Sequence, residues 1–203
     1  MLGESIVVFT NKNLEFLTKL NGSCSWLLNP KRARNCDYVV CTYNRKHPLA
    51  DESELDYYGF LVGKISGVTE SLNPFDEGRW MIEFQEYAAI QEPDLWKAVT
   101  ITETSPEGQR YPIKYVSTHT LASLFENFDL INDESEWERV PPRDHEYINA
   151  EFDAQNLFYK RKIPKRKNKR KNISLTDAIS NAKKDLSEQL DVLEENIEII
   201  IKG

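Results

Sequence analysis

Three runs of strand-forming residues, Asp37 to Tyr43, Gly59 to Val68 and Arg79 to Phe84, follow one another with only polar or turn-rich chain between them. The first connection is the long polar stretch His47 to Asp56, and the second passes through Asn73-Pro74 and Glu77-Gly78. Their succession predicts an antiparallel meander, with the third strand continuing to Ile90. The three glycines within residues 59 to 67 fit close backbone approach or bulges rather than a phosphate loop.

Other segments attach to this meander. Ser5 to Thr10 is β-branched and apolar and reads as a buried strand, after which Thr10 caps a short helix carrying Leu14, Leu17 and Leu20. Asn21-Gly22 ends that helix. A single turn is expected at Lys31 to Asn35. Trp96 to Thr104 reads as a further strand, and Ser105-Pro106-Glu107-Gly108 as a turn. Ser117 or Thr118 then caps a helix with Leu121, Leu124, Phe125 and Phe128 on one face. Residues 129 to 159 alternate acidic stretches with Pro141-Pro142 and single aromatics, which predicts irregular cover. The fold class is α+β.

Charge divides the chain. Of 203 residues, 1 to 159 hold 14 Lys/Arg against 26 Asp/Glu, a net of -12, whereas 160 to 203 hold 12 against 7, a net of +5. Nine of the twelve residues from Lys160 to Lys171 are cationic and Pro164 stands among them, so residues 160 to 172 are expected to form an extended linker. The domains are then 1 to 159, the linker, and a module at 173 to 203. In that module Ser174-Leu175-Thr176-Asp177 resembles a capping box and opens a helix with Leu175, Ala178, Ile179, Ala182, Leu186 and Leu190 on one stripe. Ile197 to Ile201 is expected to be a strand. Thirty residues bury little alone, so the module is expected to dock on the main domain, another copy or a partner.

A hydrophobic fraction of 40% with 11% aromatic residues excludes a disordered or fibrous chain. No apolar run approaches the roughly 18 to 20 residues that span a bilayer, which argues against a membrane protein. The first residues lack a basic leader region. Three cysteines are an odd number, which disfavours a secreted disulfide framework and makes a reducing cytoplasm the expectation.

The catalytic inventory is thin. His47, His119 and His145 lie far apart, and none stands in a nucleophile spacing; the acidic-x-Lys element that would extend Pro93-Asp94 into a nuclease site is missing. A non-enzymatic protein without cofactors is expected. Cys24, Cys36, Cys41 and His47 are spaced C-x11-C-x4-C-x5-H, unlike compact zinc knuckles, so these cysteines read as structural hydrophobes and no metal site is assigned.

The aromatic residues point elsewhere. Trp26 stands between polar stretches, the second of which carries Lys31, Arg32 and Arg34; Tyr43-Asn44-Arg45-Lys46 ends a strand with an aromatic, an amide and two cations. Tyr57, Tyr58, Phe75 and Trp80 lie at the ends of strands or loops that follow. Rings that stack a base, an Asn that reads its edge and cations that hold phosphates are what single-nucleotide recognition uses. The competing reading makes Trp26 and Trp80 core residues and the cations a solvated surface.

The order Ser5 to Thr10, a helix, Ser25-Trp26-Leu27-Leu28-Asn29, Asp37 to Asn44, Gly59 to Val68 and Arg79 to Phe84 resembles the PUA-like superfamily, particularly its EVE and YTH branches, over about residues 5 to 130. The resemblance implies a small curled β-barrel flanked by helices and, in many members, a modified nucleobase in an aromatic cage. Trp26 matches the tryptophan that forms one cage wall, Asn29 falls near a polar position of the same loop, and Asn44 matches the residue closing the second strand. The insertion from Arg45 to Tyr58 departs from the short turn usual in YTH proteins. Tyr57, Tyr58, Phe75 and Trp80 compete for the second wall, with Trp80 ranked last.

The expected function is therefore a nucleic-acid-binding module, for DNA or RNA, with a base pocket at Trp26, Asn29, Asn44, Tyr57, Tyr58 and Phe75. Its phosphate contacts would be Lys31, Arg32, Arg34, Arg45 and Lys46, together with the linker cations Lys165, Arg166, Lys167, Lys169, Arg170 and Lys171. The linker could equally strap onto the acidic segment Glu126 to Glu138. The alternative is a protein-interaction scaffold that docks another subunit, or another copy of itself, through the C-terminal module.

Overall fold

In the computed structural model the described residues are 3–50, 55–102, 112–131, 136–162 and, near the C-terminus, 179, 182, 183, 187, 193 and 196–199. The chain forms two compact units, Met1–Arg161 and Lys162–Gly203.

The first unit is α+β and is built on one curled, half-barrel sheet. Its strands are β1 (Glu4–Thr10), β2 (Gly22–Trp26), β3 (Cys36–Tyr43), β4 (Gly59–Glu70), β5 (Trp80–Glu92), β6 (Ile113–Ser117) and β7 (Glu138–Arg139). The order across the sheet is β2-β5-β4-β3-β1-β6, with β7 also paired to β5. The meander β3-β4-β5 is antiparallel, as the sequence implies, and β1 runs parallel to β3. Bulges interrupt the β4/β5 ladder on either side of Ile65, and the backbone at Gly63 is approached so closely by Phe84 that a Cβ there would lie 2.7 Å from its ring.

Register decides which face each side chain covers. Val7, Val40, Val62 and Ala88 align across four strands and are fully buried under α3 (Leu95–Thr102) and α4 (Thr118–Ala122). Their neighbours Ile6, Val8, Val39, Cys41 and Leu61 point the other way, as strand alternation requires. That face packs against α1 (Leu14–Leu20), α2 (Pro30–Ala33) and α5 (His145–Lys162) through Phe16, Leu17, Leu20, Ala33, Ile148 and Phe152. On the opposite face Glu92, 1% exposed, accepts the backbone N–H groups of Glu126 at 2.9 Å and Asn127 at 2.8 Å, which closes the turn after α4.

Several expectations are corrected. Asn13, not Thr10, caps α1, its Oδ1 accepting the Phe16 N–H at 2.9 Å. Thr10 instead holds the Lys12 N–H at 3.1 Å. Asn21 ends α1 in the left-handed conformation at φ 58°. Residues 22 to 26 are a strand, which the polar composition of Gly22 to Ser25 hides.

Residues 95 to 102 are a helix rather than a strand, because Leu95 and Val99, four apart, enter the core together. The helix after Ser117 stops at Ala122, so Leu124, Phe125 and Phe128 lie beyond it.

The largest difference is α5, eighteen residues long, of which fifteen fall in the segment expected to be irregular. Asp144 starts it, accepting the Tyr147 N–H, and Ile148 and Phe152 anchor it. It runs through Lys160, Arg161 and Lys162, so the first linker residues are helical; cations suit the negative end of a helix dipole. Linker residues 163 to 171, including the six expected phosphate contacts Lys165 to Lys171, lie outside the described residues. So does the expected turn at 105 to 108. No helix among the described residues is long and apolar enough to cross a membrane.

Of the second unit, Ile179, Ala182, Lys183 and Ser187 are helical. Ile197, Glu198 and Ile199 are not in a strand, and no ladder partner for them is recorded among the described residues.

Candidate functional site

Trp26 ends β2, facing Trp80 of β5 in register. It is only 7% exposed, and its indole Nε1 donates to Ser23 Oγ at 2.9 Å. It nonetheless borders a cavity of about 460 Å³, also lined by Phe9, Asn44, Phe75, Asp76 and Arg79. Small-ligand sites run from roughly 300 to 1,000 Å³.

Local backbone chemistry shapes the cavity. Ser25 takes φ 74°, a turn inside β2 that breaks the register between Ser23 and Trp26. Its hydroxyl donates to Asp76, and its carbonyl accepts from Arg79 Nη1 at 2.8 Å. Ser71 Oγ is a second donor to Asp76, at 3.1 Å. Asn73 closes an Asx turn by accepting the Phe75 N–H at 3.1 Å, and Asn156 of α5 donates to the same Oδ1 at 3.3 Å. The loop from 71 to 79 is thus tied both to β2 and to α5. Phe75, 56% exposed, stands on it with Lys160 Nζ 4.9 Å above its ring.

Across the cavity, the Asn44 N–H binds the Thr10 carbonyl at 2.7 Å, while its side-chain amide takes no partner among the described residues. His47 Nδ1 accepts the Leu49 N–H at 3.2 Å, so Nε2 carries the proton of the neutral ring and faces Tyr159 Oη at 3.0 Å. Burial, and then the Lys12 charge, lower the pKa of His47. An unfolded histidine titrates near about 6.5, so stability from the neutral ring is complete above that pH and is lost as pH falls through the lower folded value. His47→Gln is expected to flatten the fall in urea midpoint between about pH 6.5 and pH 5. A variant curve parallel to the parent's would contradict this.

Of the six expected base-pocket residues, Trp26, Asn44 and Phe75 are brought together, and Asn29, Tyr57 and Tyr58 are not. Asn29 is the N-cap of α2, its Oδ1 accepting from the N–H groups of Lys31 at 3.0 Å and Arg32 at 3.2 Å, and it lines a different cavity with Tyr115 and Gly78. Tyr57, at φ 67°, stacks on Phe9 at 5.4 Å, and Phe9 stacks on Trp96 at 4.9 Å. Tyr58 lines a third cavity beside Tyr43 and Phe60. Trp80 is half-buried, with the Arg34 guanidinium 5.8 Å from its ring.

The expected rim cations are partly engaged within the fold. Arg32 pairs with Glu4 and lies over Tyr115; Arg34 donates to the Val68 carbonyl; Lys46 donates to Tyr57 Oη at 2.9 Å. Lys31 and Arg45 are exposed. The cations that do line the Trp26 cavity are Lys12 and Arg79. Neither is among the expected contacts: Arg79 comes near Trp26 through the ladder of β2 on β5 and the loop before β5, and Lys12 through the turn between β1 and α1. Cys24 also lines the cavity, its thiol pushed up to about 11 by burial; Cys41, fully buried, is pushed up to about 12. Such thiols stay protonated at neutral pH. No protein-family model, curated protein or solved structure matches the chain.

Proposed function

We propose that the first unit is a PUA-like, non-catalytic nucleic-acid-binding module that captures one nucleobase, modified or unmodified, in the cavity bordered by Trp26. The observation that carries this reading is the meeting, in one opening of suitable size, of aromatic side chains that include Trp26 and Phe75, an amide unpartnered among the described residues and a half-buried carboxylate. Trp26 and Phe75, which border the cavity, would supply the apolar ring contacts; Asn44 would supply both a donor and an acceptor, and Asp76 would accept from ring or exocyclic N–H groups. Arg79 and Lys12 add positive charge where a sugar-phosphate would leave the pocket. The basic stretch after α5 would track the backbone without reading sequence.

Titrating the full chain with single- and double-stranded DNA and RNA, each carrying one unmodified or base-methylated test position, tests this. A preference among bases is expected, with single strands or unpaired positions favoured. Replacing the six cations from Lys165 to Lys171 by glutamine is expected to weaken all oligonucleotides alike and to flatten the salt slope by up to about 4 on single strands and about 5 on duplex DNA. Affinity independent of base in every format would overturn the reading.

The second reading, a docking scaffold, rests on residues 162 to 203 forming a compact unit of their own. Deleting residues 172 to 203 separates the two. Loss of a protein complex with oligonucleotide binding retained would assign docking to that unit and base capture to the first.

A further inference from the structure

The Trp26 cavity does not stand alone. A second cavity of about 440 Å³ shares Asn11, Lys12 and Gln155 with it and is otherwise walled by α1 with its cap Asn13, the end of β3, Leu49 of the following loop, and α5. Its character is aromatic and apolar: Phe16, Tyr43, Tyr147, Leu157 and Phe158 line it, with Arg161 at the end of α5.

Lys12 stands at the junction. Its ammonium lies 4.7 Å from the centre of the Phe16 ring in the second cavity, while the carboxylates that act on it belong to both sides, Asp76 in the first and Glu151 in the second. Among the described residues it forms no ion pair. Burial is the main reason that its pKa is lowered. A poorly hydrated cation that has an aromatic ring but no carboxylate in ion-pair contact gains most from an anion that brings its own oxygen acceptors.

We propose that the two cavities are consecutive subsites for one dinucleotide step of an unpaired strand: one base beside Trp26, its neighbour against the aromatic wall of the second cavity, and the connecting phosphodiester on Lys12. The proposal rests on the base-capture reading above and adds to it a second base and a fixed phosphate. Stacked duplex bases cannot enter two separate hollows, so the step must be single-stranded or splayed. Gln155 and Asn11, at the shared wall, place amides beside the sugar-phosphate bridge.

Calorimetric or NMR titration of the full chain with ribo- and deoxyribonucleosides, their 3′- and 5′-monophosphates and the matching dinucleoside monophosphates tests it. Dinucleoside monophosphates are expected to bind about 10- to 100-fold more tightly than nucleosides, with a monophosphate in between. In Lys12→Met, which keeps an apolar stem, the ratio between dinucleoside monophosphate and nucleoside is expected to fall to a few-fold at most. Nucleosides that bind as tightly as dinucleoside monophosphates would overturn the two-subsite proposal while leaving base capture intact. No binding by any probe would overturn both. The ligand series on the parent chain decides the matter even if Lys12→Met fails to fold, and a ratio unchanged in a folded Lys12→Met would remove Lys12 from the phosphate.

Discussion

Trp26→Ala is expected to abolish preference among bases and to lower the thermal midpoint together. The indole is almost wholly covered, pairs in register with Trp80 and donates to Ser23, so its removal empties part of the core as well as one side of the cavity. Large-to-small aromatic substitutions in a core cost about 3–5 kcal/mol, which for a domain of this size corresponds to roughly 6–20 °C. The two effects are separable. Trp26→Phe keeps a ring in place but leaves Ser23 without its donor, and it should retain a weakened base preference while losing about 1–2 kcal/mol from the missing hydrogen bond and poorer fit. Oligonucleotide titrations at a temperature where both variants are folded check this. Base discrimination undiminished in folded Trp26→Ala would show that the indole serves packing alone.

Phe75→Ala isolates binding from stability. Phe75 is more than half exposed, and it stands on a loop held by backbone and side-chain bonds of Asn73, Ser71 and Asp76 that do not involve its ring. Its truncation should move stability by no more than about 0.5 kcal/mol. A stacking partner lost from one base is worth about 1–3 kcal/mol, or about 5- to 150-fold in affinity. The variant should therefore melt with the parent yet bind oligonucleotides markedly more weakly. Equal affinity in parent and variant would place the base away from this ring.

The elements legible in the sequence are those whose local preference and burial agree. The β3-β4-β5 meander combines apolar, β-branched runs with turn residues, and α1 has leucines three apart followed by Asn21-Gly22. At α3 the two disagree: Val99, Thr100, Ile101 and Thr102 favour a strand locally, but the core accepts Leu95 and Val99 on one helical face. In α5 the buried stripe is essentially Ile148 and Phe152 with Tyr147 at its flank, too little to stand out from eighteen residues rich in charge.

The candidate site divides along the same line. Trp26, Asn44 and Phe75 could be picked out because a lone aromatic or amide in a polar stretch is conspicuous. Asn29 is equivalent by sequence alone, yet it follows Leu28 and precedes Pro30, an N-cap followed by proline, and its oxygen is taken by the helix it starts. Ser25, Asp76 and Arg79 carry no spacing signal at all. They meet because β2 lies beside β5 and because Ser25 adopts a left-handed backbone that turns its hydroxyl and carbonyl toward the loop. Tyr159 and Asn156 depend on a helix that periodicity alone does not reveal.

The most direct measurement is an intermolecular NOE experiment on the full chain with the best-bound nucleoside or dinucleoside monophosphate. Contacts from base protons to the rings of Trp26 and Phe75, with a shift of the Trp26 indole N–H held by Ser23, are the expected result. Base protons that show contacts only to other surfaces, with the Trp26 and Phe75 resonances unmoved at saturation, would contradict capture of a base in this cavity.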